Sequence, residues 1–193
     1  LCDQLHKRRI AAIPKLSKQL QDILAKLGME NATFQISLQP TDDFANNGKD
    51  DLNFLFSANK GIPHEVLKKV ASGGELSRIM LGVKLILSKY AKLPTILFDE
   101  IDTGVSGEVS NKIAEVMQEM GTHMQVITIT HLPQIAAKGS SHFKVYKEEV
   151  SGVTTTFLKK LTQEERVVEV AEILGGKTMT ASALEHAKEL LKI

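Results

Sequence analysis

The first 27 residues have the hydrophobic pattern of an amphipathic helix that ends at Gly28. Apolar residues recur at intervals of three and four, at Ile13, Leu16, Leu20, Ile23 and Leu27. This spacing is typical of a coiled-coil helix and equally of a helix docked on its own domain. Pro14 predicts either a kink or the first turn of the helix, because proline has no N–H to donate.

Two stretches in which apolar and polar residues alternate come next, at Phe34–Leu38 and Leu52–Phe56. Alternation of this kind predicts strands with one buried face, and we expect the two strands to pair antiparallel. The polar segment Gln39–Asp51 is expected to be the loop between them. Residues 57–70, with Gly61 and Pro63, are expected to form a second loop.

From residue 71 the pattern becomes that of an α/β fold. A glycine-rich turn at 71–74 precedes a helix at 75–90, whose apolar residues nearly encircle it and predict burial on most sides. Thr95–Phe98 is a continuous apolar strand, as in a parallel sheet covered on both faces. A helix capped by Ser106 runs to Gly121, and a strand follows at 125–130. This strand–helix–strand order predicts a parallel pair.

The C-terminal part predicts a hairpin and two helices. Strands at 142–147 and 153–160 are expected to turn at Ser151-Gly152, and helices are expected at 162–174 and 180–191. The expected fold class is therefore α/β, with a mainly parallel sheet flanked by helices.

Composition narrows the possibilities. With 193 residues, 42% hydrophobic and 24% charged, the chain suits one soluble globular domain with a small appendage. A net charge of +1 argues against binding of nucleic acid or membrane through the charge of the whole chain, although it permits a local basic patch. The first helix is an exception, because it contains six basic residues and only two acidic ones. Cys2 has no partner for a disulfide. No apolar run approaches the ~20 residues of a membrane span, so a cytoplasmic location is expected. Since the chain begins with Leu1, we also expect a piece of a longer protein.

The sharpest chemical feature is the acid pair Asp99-Glu100 at the end of an apolar strand. Open α/β sheets hold ligands at the carboxyl ends of their strands. Adjacent strand residues point to opposite faces, so the two carboxylates would have different roles. One carboxylate could bind Mg²⁺, and the other could activate a water molecule for attack. The alternative is that both acids begin a solvated loop.

Two further features suit phosphate chemistry. Ser72, Gly73 and Gly74 precede a helix, where free N–H groups and the positive helix end can meet a phosphate; the alternative is an ordinary helix start with Ser72 as its N-cap. His131 follows the second parallel strand at the same sheet edge as the acid pair. This histidine could contact a γ-phosphate or the attacking water. The alternative interpretation is that it has only a structural role.

A third glycine-rich segment, Gly175-Gly176-Lys177-Thr178, is rejected as a phosphate-binding P-loop. That motif needs glycine five positions before Gly176, where Ala171 stands, and it needs a preceding strand. Two glycines after a helix more simply end that helix. The chain therefore has acids, a histidine and a phosphate-facing helix but no triphosphate cradle, which is half of a nucleotide site.

Taken together, these motifs resemble the C-terminal lobe of an ABC-type P-loop ATPase head. Ser72-Gly73-Gly74-Glu75 is similar to the signature motif, and Thr95–Glu100 is similar to Walker B. Asp102–Gly107 is similar to the D-loop region, and His131 to the switch histidine. Glu75 in place of the glutamine of transporter signatures is typical of the SMC and Rad50-like branch. The strings 69–78 and 130–134 narrow the resemblance to bacterial DNA-repair members of that branch.

The resemblance implies a division of the chain and of its chemistry. Residues 1–27 would be the end of a coiled-coil arm, and 28–193 would be the C-terminal lobe of the head. An N-terminal lobe carrying the P-loop would complete the head, and two heads in a homodimer would enclose ATP.

The same resemblance implies a role for each site residue. Asp99 would help to hold Mg²⁺, Glu100 would be the general base, and His131 would sense the γ-phosphate. The signature residues would reach ATP on the opposite head; they are Ser72, Gly73, Gly74 and Glu75. Asp102 would lie at the dimer seam, and the cycle would serve the repair of DNA double-strand breaks at the nucleoid.

Two other functions stay open at this stage. A non-catalytic DNA-scaffolding or oligomerisation module would use the basic helix 1–27 and the apolar stripe Leu184, Ala187 and Leu191. A transporter ATPase subunit is less compatible with Glu75. Salt-dependent DNA binding without any effect of ATP would favour the scaffold.

Overall fold

The computed structural model describes residues 1–91, 93–99, 101, 105, 107–176 and 180–193. Glu100, Asp102 and Ser106 therefore lie outside the described residues. The helices and strands follow one another as α1 (Cys2–Lys26), β1 (Thr33–Ala45), β2 (Gly48–Ser57), β3 (Glu65–Val66), α2 (Leu67–Val70), α3 (Gly73–Ser88), β4 (Thr95–Asp99), α4 (Gly107–Gly121), β5 (Gln125–Ile129), α5 (Pro133–Lys138), β6 (Phe143–Val150), β7 (Val153–Lys160), α6 (Gln163–Gly175) and α7 (Ala181–Leu191).

The chain forms two compact units, of which the first holds Leu1–Pro94 and the second holds the elements from β4 onward. In the first unit β1, β2 and β3 form an antiparallel sheet, and the predicted pairing of 34–38 with 52–56 is confirmed. Phe34 and Phe56 lie opposite each other in this sheet, with ring centroids 5.4 Å apart, and both are buried.

The predicted N-terminal helix is confirmed as α1, and Pro14 lies inside it and not in its first turn. At its C-terminal end the N–H of Gly28 donates to Ala25 O and the N–H of Met29 donates to Leu24 O. These two bonds form a Schellman motif, which requires the left-handed φ of +77° found at Gly28. Leu20, Leu24 and Leu27 are fully buried, so the C-terminal part of α1 is a docked helix.

The expected loop at Gln39–Asp51 is wrong. β1 continues to Ala45 and β2 begins at Gly48, so only Asn46 and Asn47 connect the strands. Polar composition suggested a loop, but an extended hairpin keeps its backbone bonds satisfied whatever its side chains are. The dipeptide Asn47-Gly48 was the available turn signal. The expected loop at 57–70 likewise contains β3 and the short helix α2.

The predicted helix at 75–90 is confirmed as α3, but its expected burial on most sides holds for only part of its surface. Ile79, Leu81 and Leu85 are buried, whereas Met80 and Leu87 are 45% and 42% exposed. An apolar face of α3 is therefore open to solvent.

In the second unit β4 and β5 pair parallel, as predicted. Between them α4 buries the predicted apolar stripe, which includes Ile113, Val116, Met117 and Met120. The expectation that the sheet is covered on both faces is wrong. Phe98 is buried, but Leu97 on the opposite face is 60% exposed. Among the described strands, the other pairs are antiparallel.

The predicted hairpin is confirmed as β6 and β7, with left-handed φ values at Ser151 and Gly152. The two predicted C-terminal helices are α6 and α7, which Thr162 and Thr180 cap. With α5 they bury a core of small residues, at Ala137, Val170, Ala171, Ala183 and Ala187.

The rejected P-loop segment is a helix end. Gly175 is the last residue of α6, and Gly176, with φ of +72°, donates its N–H to Glu172 O. Lys177 and Thr178 lie outside the described residues. No helix in the described part of the chain is long and apolar enough to cross a bilayer.

Candidate functional site

The predicted acid and histidine lie at the same edge of the β4–β5 pair. Asp99 ends β4 and lies opposite Ile129, the last residue of β5, so His131 follows only two residues beyond the level of Asp99. The carboxyl ends of parallel strands share one edge of a sheet, and this edge is where open sheets hold ligands. The geometry therefore brings Asp99 and His131 together in one unit.

The chain turns immediately after β5. Thr130 Oγ1 accepts a hydrogen bond of 3.0 Å from the N–H of Leu132, and Pro133 then begins α5. Proline is favoured at this position because its missing N–H would be unpaired there anyway. Helix α5 was not predicted, although Leu132-Pro133 was the available signal in the sequence. Gln134 on α5 places its Nε2 atom 3.6 Å from where a Cβ of Gly107 would lie. α5 therefore borders the start of α4.

Asp99 lies on the uncovered face of the parallel pair. Its face neighbours Leu97, Ile127 and Ile129 are 60%, 45% and 53% exposed. Parallel strands are almost always covered on both faces, so an apolar face of this kind is typical of a surface that a partner covers. The Asp99 carboxylate is exposed at the end of this face.

The predicted signature residues form the start of α3 in the first unit. The hydroxyl of Ser72 accepts a hydrogen bond of 3.3 Å from the N–H of Glu75, and the Glu75 carboxylate accepts one of 2.7 Å from the N–H of Ser72. This is a capping box, so the alternative interpretation of Ser72 as an N-cap is confirmed. The capping box fixes the conformation of the turn. Gly73 and Gly74 lie between the two capping residues and take no part in the capping bonds.

Gly73 faces open space among the described residues. A Cβ added to Gly73 would meet no atom of the described residues within 4 Å, so local packing does not require glycine there. The N–H groups of Gly73 and Gly74 have no acceptor within the described part of the chain. Two free donors at the positive end of a four-turn helix are suited to a phosphate.

Two of the predicted site residues, Glu100 and Asp102, lie outside the described residues. Ser72, Gly73, Gly74 and Glu75 belong to the first unit, and Asp99 and His131 belong to the second. Taken separately, the Asp99 carboxylate suits a divalent cation, and the free N–H groups of the glycine turn suit a phosphate.

Comparison with known proteins agrees with the motifs. No family model matches the chain. The DNA repair protein RecN of Halalkalibacterium halodurans is 43% identical over 183 residues, which cover 93% of this chain and 32% of that protein. RecN of Vibrio cholerae is 40% identical over 190 residues, or 98% of this chain and 34% of that protein. The chain thus spans about a third of the length of these relatives and matches their C-terminal part.

Solved structures give the fold. An Smc head domain from Pyrococcus furiosus, with an extended coiled coil and bound to the C-terminal domain of ScpA, matches 89% of this chain with a TM-score of 0.61 and 20% identity. It is matched over 42% of its own length. An SMC ATPase described for ATP-driven dimerization and DNA-stimulated activation matches 90% of this chain, with a TM-score of 0.58, and is itself covered to 99%. The fold is therefore that of SMC head domains.

Proposed function

We propose that this chain, which over nearly its whole length is related to the C-terminal part of the RecN DNA repair proteins, supplies part of the ATP-hydrolysing site of an SMC-like repair protein. The placement of Asp99 and His131 at one edge of a parallel pair carries this proposal. This edge is where open α/β sheets hold their ligands. The open signature turn supplies a phosphate-binding group to the nucleotide of a second head.

Each residue has a role in this proposal. Asp99 helps to hold Mg²⁺, directly or through water, and Glu100 takes the proton of the attacking water. His131 donates a hydrogen bond to the γ-phosphate. Bound Mg²⁺-ATP would supply the phosphoanhydride bond that is broken, and the metal would offset the negative charge of the phosphates. A P-loop on an N-terminal lobe of the same protein provides the phosphate cradle that this chain lacks.

The signature turn acts on a nucleotide held by a second head. Gly73 and Gly74 offer their free N–H groups, while Ser72 and Glu75 hold the turn in shape through their capping box. Asp102 lies at the seam of the resulting homodimer. The SMC ATPase described for ATP-driven dimerization offers the parallel for two heads closing on ATP.

The proposed partners and location follow from the relatives. DNA is the proposed partner because the relatives are named as DNA repair proteins, and the site of action would be the nucleoid in the cytoplasm. Residues 1–27 would continue into a coiled-coil arm, while 28–193 would form the C-terminal lobe of the head. Repair of double-strand breaks by recombination is the proposed process.

Reconstitution tests the proposed site. The chain by itself should not hydrolyse ATP, whereas adding the remaining part of its parent protein should restore turnover. Glu100→Gln should then lower turnover by about 10²-fold or more and favour the ATP-held dimer. Glu115→Gln, an exposed change on α4, is the matched control. Strong hydrolysis by the chain alone, or full activity of the Glu100 variant, would refute the proposal.

The scaffolding alternative loses one of its two surfaces. Ala187 is fully buried, and Leu184 and Leu191 pack against the core of small residues formed by α5, α6 and α7. The stripe is therefore internal to the second unit and is not a docking face. The basic residues of α1 remain exposed, at Lys7, Arg8, Lys15, Lys18 and Lys26.

A further inference from the structure

Helix α1 is attached to its unit at two separate places. Near its C-terminal end Leu20 and Leu24 are fully buried. Between them and the N-terminal end the helix is largely open, and Ile10 and Leu16 are 46% and 37% exposed. The residues at Cys2–Arg9, the N-terminal third of α1, are held again, by polar contacts with the tip of the β1–β2 hairpin.

Asp50 is the centre of that second attachment. Its side chain is only 2% exposed, and it accepts hydrogen bonds of 2.7 Å from Arg9 Nη1 and 2.6 Å from His6 Nδ1. Because a carboxylate only accepts, the proton lies on His6 Nδ1. The Arg9 guanidinium, followed by His6, holds the pKa of Asp50 below its usual range. A carboxylate with so little exposure is tolerated only while its partners stay in place.

The hairpin tip is shaped to fit the helix. Arg9 also donates from Nη2 to the backbone oxygen of Asn47, at 2.7 Å. A Cβ at Gly48 would lie 3.3 Å from Leu5 Cδ2, and the φ of +114° at Gly48 suits glycine. Lys49 adds an outer ion pair with Asp3 at 3.1 Å, but Asp3 is 82% exposed and the pair contributes little.

Pro14 lies between the two attachments. Proline has no N–H, so the helix lacks the hydrogen bond to Ile10 O at that point. The missing hydrogen bond therefore lies in the same exposed stretch of α1 in which few side chains pack against the unit. The hairpin contacts, and not the helix alone, determine whether the N-terminal third of α1 keeps its place.

We propose that His6, Arg9 and Asp50 form a clamp that fixes the N-terminal third of α1 on the β1–β2 hairpin and so sets the direction of this helix beyond Pro14. The link to an arm rests on the proposed function, in which α1 continues into a coiled coil. In that setting the hairpin would couple the orientation of the arm to the head. β2 pairs with β3, and only the short helix α2 lies between β3 and the signature turn.

Hydrogen exchange of the chain, read by mass spectrometry, tests the clamp. Asp50→Asn should raise the exchange rates of amides 6–13 and of the hairpin tip by about tenfold or more, and leave amides 20–27 unchanged. Asp51→Asn, a change at the exposed neighbour, is the matched control and should have no effect. A rise across the whole first unit, or equal rates in both variants, would overturn the clamp.

A second pair of variants keeps the test independent of Asp50. Arg9→Gln should reproduce the local rise, whereas Arg8→Gln, a change at the exposed neighbouring position, should not. No effect of Arg9→Gln would also overturn the clamp. These measurements need no nucleotide, so their failure leaves the proposed ATP site untouched. Failure of the Glu100 experiment likewise leaves the clamp untouched.

Discussion

Gly82 of α3 lies so close to Leu20 of α1 that a Cβ at position 82 would be 3.1 Å from Leu20 Cδ1. The Cγ2 atom of Ile23 would be 3.3 Å away. Leu20 is 1% exposed and has little room to move. The missing side chain of Gly82 is therefore what allows α1 and α3, the helix that begins with the signature turn, to pack against each other.

Gly82→Ala should destabilise the first unit although alanine is the better helix former. The helix gains about 1 kcal/mol from the exchange, whereas overpacking a filled contact costs about 1–3 kcal/mol. We expect a net loss of about 1 kcal/mol in the free energy of unfolding, measured by urea titration. Gly121→Ala, at the open end of α4, is the control and should cause no loss. A stabilised Gly82 variant would show that Leu20 and Ile23 can move aside.

Gly73→Ala should separate ligand binding from folding. A Cβ at position 73 meets nothing among the described atoms within 4 Å, so the free energy of unfolding should not fall. In the reconstituted ATPase the added methyl group would stand where a phosphate approaches the helix end, and turnover should fall by about tenfold or more. Unchanged turnover would remove the signature turn from the site.

His142 should make the stability of the second unit depend on pH. Burial, with the nearby charge of Arg166, lowers the pKa of His142 from 6.5. The unfolded chain then takes up the proton first, so stability should be complete above the ordinary histidine range and fall as the pH drops from about 7 to 5. His142→Asn should flatten this slope in urea titrations, whereas His186→Asn, at an exposed site on α7, should not. Equal slopes in the two variants would contradict this origin.

The open face of β4 and β5 should make the isolated chain self-associate. Leu97 and Ile127 form an exposed cross-strand pair there. Apolar surface of this kind associates in water. Exchange of both residues for threonine, which keeps the preference for strands, should shift the chain toward monomer in sedimentation velocity. The same variant should keep its unfolding midpoint, and persistent association would place the contact elsewhere.

Local patterns predicted most elements because each of those signals acts within a few residues. The helices at 162–174 and 180–191, the turn at Ser151-Gly152 and the stripe of α4 are examples. The hairpin at 39–51 was missed because polar side chains suggested a loop. Its strand pairing depends on backbone hydrogen bonds across the hairpin, and the polarity of the side chains does not report those bonds.

The candidate site divides in the same way. The sequence determined which groups are present, and the parallel order of strand, helix and strand was enough to expect Asp99 and His131 at one edge, since a short crossover forces that geometry. Only the tertiary structure decided that Asp50 is enclosed by His6 and Arg9, that Gly82 admits Leu20 and that Leu97 lies open. These facts depend on the packing of segments far apart in the chain, and no local preference specifies which surfaces finally meet.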